Sequence, residues 1–146
     1  MSTSGSKRPG RKVLRISKRP QPKAEKRTGI ARPAGRWAVT GLFVASSLAP
    51  VAAPAIACVY ADDPERFAKV GRLLPSKIGA NVIMAKPYDP IVVRRGWRDA
   101  GFPSVSVAQS AVDLLTGTAR MPAEGQALTD WMRRDPSRWQ EVTLRG

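Results

Sequence analysis

Histidine is absent from these 146 residues and cysteine occurs once, as Cys58. Without histidine the chain lacks the commonest general base near neutral pH and the commonest zinc ligand. A single thiol excludes an internal disulfide and is too few for a structural zinc site, in keeping with a reducing cytoplasm. Acids are also scarce: 11 Asp and Glu stand against 25 Lys and Arg, a formal net charge of +14. Nothing in the distribution of these residues assembles a catalytic constellation, a metal site or a cofactor cradle, so the chain is expected to be non-enzymatic, with no cofactor.

The basic excess is uneven. Twelve Lys or Arg and one acid, Glu25, fall within residues 1 to 36, giving that stretch +11 and leaving +3 for residues 37 to 146. Beyond Val13, Leu14 and Ile16 the stretch offers little to bury, and its Pro, Gly, Ser and Lys content cannot offset the entropy of ordering. It is predicted to be a disordered basic extension, followed by one domain from residue 37. Lys7, Arg8, Arg11, Lys12, Lys18 and Arg19 form paired cations that would neutralise phosphates and release counterions, a salt-sensitive, sequence-independent attraction to nucleic acid. No aromatic residue interleaves them, so the extension tethers rather than reads sequence.

Trp37 to Ala61 carries no charged residue and follows a basic segment. It has the outline of an export signal or membrane anchor, with Ala55-Ile-Ala-Cys58 as a loose lipoprotein cleavage site. Against that alternative, Pro50 and Pro54 interrupt the run, and its strongly apolar part, Val39 to Leu48, is short for a bilayer. The same letters read as core pieces of ordinary length: a strand at Trp37 to Thr40, a turn at Gly41, a helix at Leu42 to Leu48 and a buried strand at Ile56 to Tyr60. No membrane association is expected on this reading.

Downstream, Asp62-Asp63-Pro64-Glu65 marks a helix start whose acids cap rather than ligate metal, with Phe67, Val70 and Leu73 as an inward stripe. Asn81 to Ala85 and Ile91 to Arg94 are β-branched runs, predicted as strands joined by the rigid turn Lys86-Pro-Tyr-Asp-Pro90. Val105 adds a short extended segment. Ser106 with Gln109 has the spacing of a capping box and opens a helix to about Thr116, with Val107, Ala111, Leu114 and Leu115 on one face. Gly117 is predicted to end that helix in the left-handed conformation. Pro122 suits the first turn of a second helix bearing Ala127, Leu128, Trp131 and Met132 on one face, stopped by Asp135-Pro136. The class is α+β: a single small domain with short strands and paired C-terminal helices, preceded by the basic extension.

AVDLLTGTARMPAEGQAL with the following DWM, together with WAVTGLFVASSLAPVAAPAIACVYADDP and GANVIMAKPYDPIVV in the same order, resembles the C-terminal region of the AbiEi family, the antitoxins of type IV toxin–antitoxin systems. The resemblance runs from about Arg36 to about Trp139. It departs at Val107-Ala108, where the family looks like Pro-Ser, and no segment before Arg36 resembles the family's N-terminal winged helix. It therefore implies a truncated antitoxin or transcriptional regulator, functionally paired with a neighbouring nucleotidyltransferase-like toxin without a stable complex being required. The toxin class itself looks like a Gly-Ser turn followed by spaced aspartates. Gly5-Ser6 lies in the basic extension with no such acids after it, so the chain does not read as the toxin.

Within the family-like stretch Asp113, Gly117, Arg120, Pro122, Glu124 and Trp131 are the residues to watch, as structural or partner-facing positions. A charge-assisted bond from Arg120 to Asp113 or Glu124 would fix the helix pair, and this is favoured over direct partner contact. Trp131 and Trp139 read as core at helical spacing rather than as binding hot spots. Trp97, beside Arg94, Arg95 and Arg98, is the better candidate for an exposed interaction patch.

Overall fold

The computed structural model describes the backbone of residues 12–16, 35–99 and 101–144, with side chains for 35–98 and 101–140. Its strands are β1 (Lys12–Ile16), β2 (Trp37–Thr40), β3 (Ala57–Ala61), β4 (Leu73–Pro75), β5 (Val82–Ala85), β6 (Trp97–Asp99) and β7 (Phe102–Ser104). They form one mixed sheet in the order β4-β1-β5-β3-β2-β7-β6. The β2–β7 and β3–β5 pairs are parallel and the others antiparallel. Helices α1 (Leu42–Leu48), α2 (Pro64–Val70), α3 (Ile91–Arg94), α4 (Val107–Leu115), α5 (Met121–Arg134) and α6 (Pro136–Leu144) complete an α+β fold.

The uncharged run of residues 37 to 61 thus folds as strand, helix and strand, and no helix among the described residues is long and apolar enough to cross a membrane. Gly41, at φ 73, makes the turn from β2 into α1 that a residue with a Cβ would strain to adopt. Period-two alternation then divides the sheet between two layers. Cys58 and Ile83 pair in register and face a cluster of Leu42, Ala45, Val107, Ala111, Leu114, Met121, Leu128 and Trp131. On the opposite face Ala61, Val82 and Met84 lie beneath α2, where Phe67 meets Trp37 edge to face at 5.3 Å. Only part of the expected α2 stripe is used: Val70 is exposed, and Leu73 belongs to β4.

Three expectations need correction. Lys12–Ile16 is not part of a disordered extension, because β1 lies between β4 and β5 and pairs with both. Composition cannot reveal this, since the partners that satisfy the β1 backbone come from far along the chain. Ile91 to Arg94 is the helix α3, not a strand. Asp89 accepts from the Ile91 N–H through Oδ1 at 2.8 Å, Pro90 sits at helical φ −57 and ψ −20, and Val92 is buried against Ala38 and Val105. Local capping and burial outweigh β-branched propensity there. Gly117 does not take a left-handed conformation; Ala119, at φ 55, does. Beyond these, Asp135-Pro136 stops α5 as expected, but Pro136 also opens α6.

The close approach of α4 and α5 is set by two glycines. A Cβ on Gly125 would stand 2.9 Å from Leu114 Cβ and 2.9 Å from the Leu115 backbone nitrogen. A Cβ on Gly117 would stand 2.7 Å from Met121 Sδ and 2.8 Å from Met121 Cβ. Gly117 is therefore required for space rather than for φ. Because the Leu115 backbone cannot swing aside, Gly125→Ala is expected to lower stability by about 1–3 kcal/mol, as overpacking of a dense core does. Urea denaturation of the full chain measures this, and an unchanged midpoint would contradict so tight a helix contact.

Candidate functional site

Ser106 caps α4 as its spacing implies, its Oγ accepting from the Gln109 N–H at 3.2 Å. The reciprocal half of the capping box is absent, because the Gln109 side chain is engaged one turn onward. Its Nε2 donates to Asp113 Oδ1 at 2.9 Å, and its Oε1 accepts from the Tyr88 hydroxyl at 2.8 Å. Asp113, on the sheet side of α4, accepts twice more: from Thr40 Oγ1 in β2 at 2.6 Å and from the Tyr60 hydroxyl in β3 at 3.0 Å. Ser110, fully buried one turn before, approaches Thr40 Oγ1 at 3.5 Å. A continuous polar chain therefore runs from the buried interior to Tyr88, which is 75% exposed.

This arrangement fastens α4 to two strands. Both oxygens of the Asp113 carboxylate hold donors, and the adjoining cavity is about 50 Å³, lined by Thr40, Cys58, Tyr60, Asp113 and Met121 among others. Such a volume admits water but not a small-molecule substrate, which needs roughly 300 Å³ or more. The carboxylate is thus placed to hold hydroxyl and amide protons in fixed directions rather than to receive one from a ligand.

The remaining expected positions separate into those brought together and those kept apart. Arg120 Nε stands 3.9 Å from Glu124 Oε1, at the limit of an ion pair, while its Nη2 donates to the Ala53 carbonyl at 2.6 Å. The shorter contact is the more consequential: it ties the start of α5 to the loop after α1. Asp113 is committed elsewhere, so of the two alternative acids Arg120 stands near Glu124, and because both belong to the start of α5 this pair does not fix one helix to the other as expected. Glu124 is 3% exposed and offers nothing to an incoming partner. Pro122 occupies the first turn of α5, and Trp131 is core, with the Arg138 guanidinium 5.5 Å from its ring centroid. Trp139 is half-buried and donates from Nε1 to the Met132 carbonyl at 3.1 Å.

Trp97 is not an exposed patch, since it packs against the main core cluster with its Nε1 buried, although Arg94, Arg95 and Arg98 around it are exposed. Of the basic residues assigned to nucleic-acid tethering, Lys12 lies in β1; Lys7, Arg8, Arg11, Lys18 and Arg19 fall outside the described residues. Asp63 Oδ1 accepts from the Arg66 N–H at 3.0 Å, the capping role expected of it, whereas Asp62 does not cap α2: its Oδ2 accepts from the Arg36 N–H at 3.2 Å, just before β2. Among the described residues no three His, Cys, Asp or Glu gather as metal ligands.

The partners of Asp113 were not anticipated. Thr40 and Tyr60 are polar residues inside otherwise apolar strands, and Gln109 precedes Asp113 by one helical turn, so the residue types signalled a buried polar contact without revealing that these four meet. Set against models of known protein families, curated proteins and solved structures, the chain matches none.

Replacing Asp113 with Ala leaves the Thr40 and Tyr60 hydroxyls and the Gln109 amide short of an acceptor, and is expected to cost about 1.5–3 kcal/mol. Tyr60→Phe alone should cost about 0.5–1.5 kcal/mol. In the double variant the two effects should fall short of additivity by at least about 0.5 kcal/mol. Denaturant melts of the four proteins give this coupling, and strict additivity would mean that the hydroxyl and carboxylate do not interact.

Proposed function

We propose that this chain is a non-enzymatic interaction protein, an antitoxin or transcriptional-regulator relative of the AbiEi C-terminal region that opposes a nucleotidyltransferase-type toxin in the cytoplasm. The observation that carries this reading is that the most distinctive family-like stretch, Ala111 to Leu128, is also where the fold is locked. Asp113 fastens α4 to the sheet, Gly117 and Gly125 set the α4–α5 distance, and Leu114, Met121 and Leu128 fill the core between them. The step from such a scaffold to its function is one of analogy. A non-catalytic role is supported by the Asp113 carboxylate being occupied by Thr40, Tyr60 and Gln109, in a chain with no histidine to act instead.

Expression of the full chain is expected to relieve growth arrest caused by the neighbouring toxin gene. A chain lacking residues 1–11 should do so as well, because that deletion spares β1. Failure of both against a toxin that does arrest growth would overturn the antitoxin reading.

The paired cations adjoining β1 supply a sequence-independent attraction to nucleic acid. Replacing Lys7, Arg8 and Arg11 with Gln should make the slope of log K against log salt on duplex DNA shallower by about 0.9 for each phosphate that is no longer neutralised, up to about 2.7 in all. A sequence-selective footprint that persists at high salt would contradict this.

A further inference from the structure

Among the described residues β6 is the last strand at one end of the sheet. β6 pairs with β7 through Trp97 with Ser104, Arg98 with Pro103 and Asp99 with Phe102. Among the described residues no strand pairs with its other side. Such an edge presents backbone N–H and C=O groups to an incoming extended chain.

Three arginines lie in this edge strand or within three residues of it: Arg94 ends α3, Arg95 follows as its C-cap and Arg98 lies within β6, all exposed. Five consecutive residues span at most about 18 Å, so all three guanidinium groups can reach one short segment. Arg120, Arg133 and Arg138 each have an acid within 3.9 Å, whereas none of Arg94, Arg95 and Arg98 makes an ion pair or side-chain hydrogen bond among the described residues. The corner is also fixed. Gly96 presses so closely on β7 that a Cβ there would collide with the Ser104 carbonyl, and Trp97 packs against the main core cluster.

We propose that the β6 edge is a docking site for an extended acidic segment of a protein partner, which adds as a further strand and sets its carboxylates against Arg94, Arg95 and Arg98. The charge argues against a second copy of this chain, because two such edges would bring six arginines together in a protein of net charge +14. It also argues against the chain's own basic extension. A nucleic-acid backbone matches the arginines but has no regularly spaced N–H donors for the edge carbonyls, whereas an acidic peptide satisfies both sets of groups. The proposal is independent of the antitoxin reading.

The test is titration of the full chain with a short, blocked peptide alternating glutamate and valine, followed by backbone amide NMR and by calorimetry. Perturbations centred on Trp97–Asp99 are expected, with affinity falling about tenfold when Arg94, Arg95 and Arg98 are all replaced by Gln. These side chains are exposed, so the substitution leaves the core intact. A peptide of equal charge with proline in place of valine cannot form the ladder and should bind far more weakly. Equal binding of the two peptides, no binding of the first at millimolar concentration, or a larger effect of the arginine substitutions on duplex DNA than on the peptide would each overturn the proposal; the last would assign the corner to nucleic acid.

Discussion

The distance between α4 and α5 is the constraint on which the rest of the domain depends. With Gly125 seated on Leu114 and the Leu115 backbone, the two helices approach closely enough for Leu114, Leu128 and Trp131 to share one core with Leu42 and Cys58. Dense interiors leave no slack for a wider separation. A helix pair held farther off would lift Met121 away from the sheet and leave α1, which packs on both helices, without a floor.

Asp113 adds direction to that packing. Apolar contacts tolerate a small rotation of α4 about its axis, whereas a carboxylate bonded at once to Thr40, Tyr60 and Gln109 does not. Tyr88 extends the same chain of bonds into the loop before α3, so the helix, two central strands and an exposed aromatic side chain are aligned by one acid. Arg120 plays a comparable part at the other end, gripping the Ala53 carbonyl and holding the loop after α1 near the start of α5.

Elements whose ends are signalled locally were legible from the sequence. Trp37–Thr40 and Leu42–Leu48 fall where a period-two run meets a glycine and a helical run follows, while Ser106 and Pro122 announce α4 and α5 through side-chain and ring chemistry acting within one turn. Elements that depend on distant partners were not. β1 owes its existence to β4 and β5, the helix at Ile91–Arg94 buries Val92 against Ala38 and Val105, and Trp97 packs partly buried against the core despite three neighbouring arginines. The polar site was half legible: Asp113 stood out, but only the register Thr40–Cys58 and Ala38–Tyr60 brings its two strand partners side by side.

The position of β1 has a consequence for the order in which the chain can be built. Lys12–Ile16 is made well before its neighbours in the sheet, Leu73–Pro75 and Val82–Ala85. It therefore cannot pair until the chain has been made through Leu73–Pro75, and its pairing with Val82–Ala85 then closes a long loop. Lys12 and Arg15 within the strand set like charges against any pairing with the same segment of another chain.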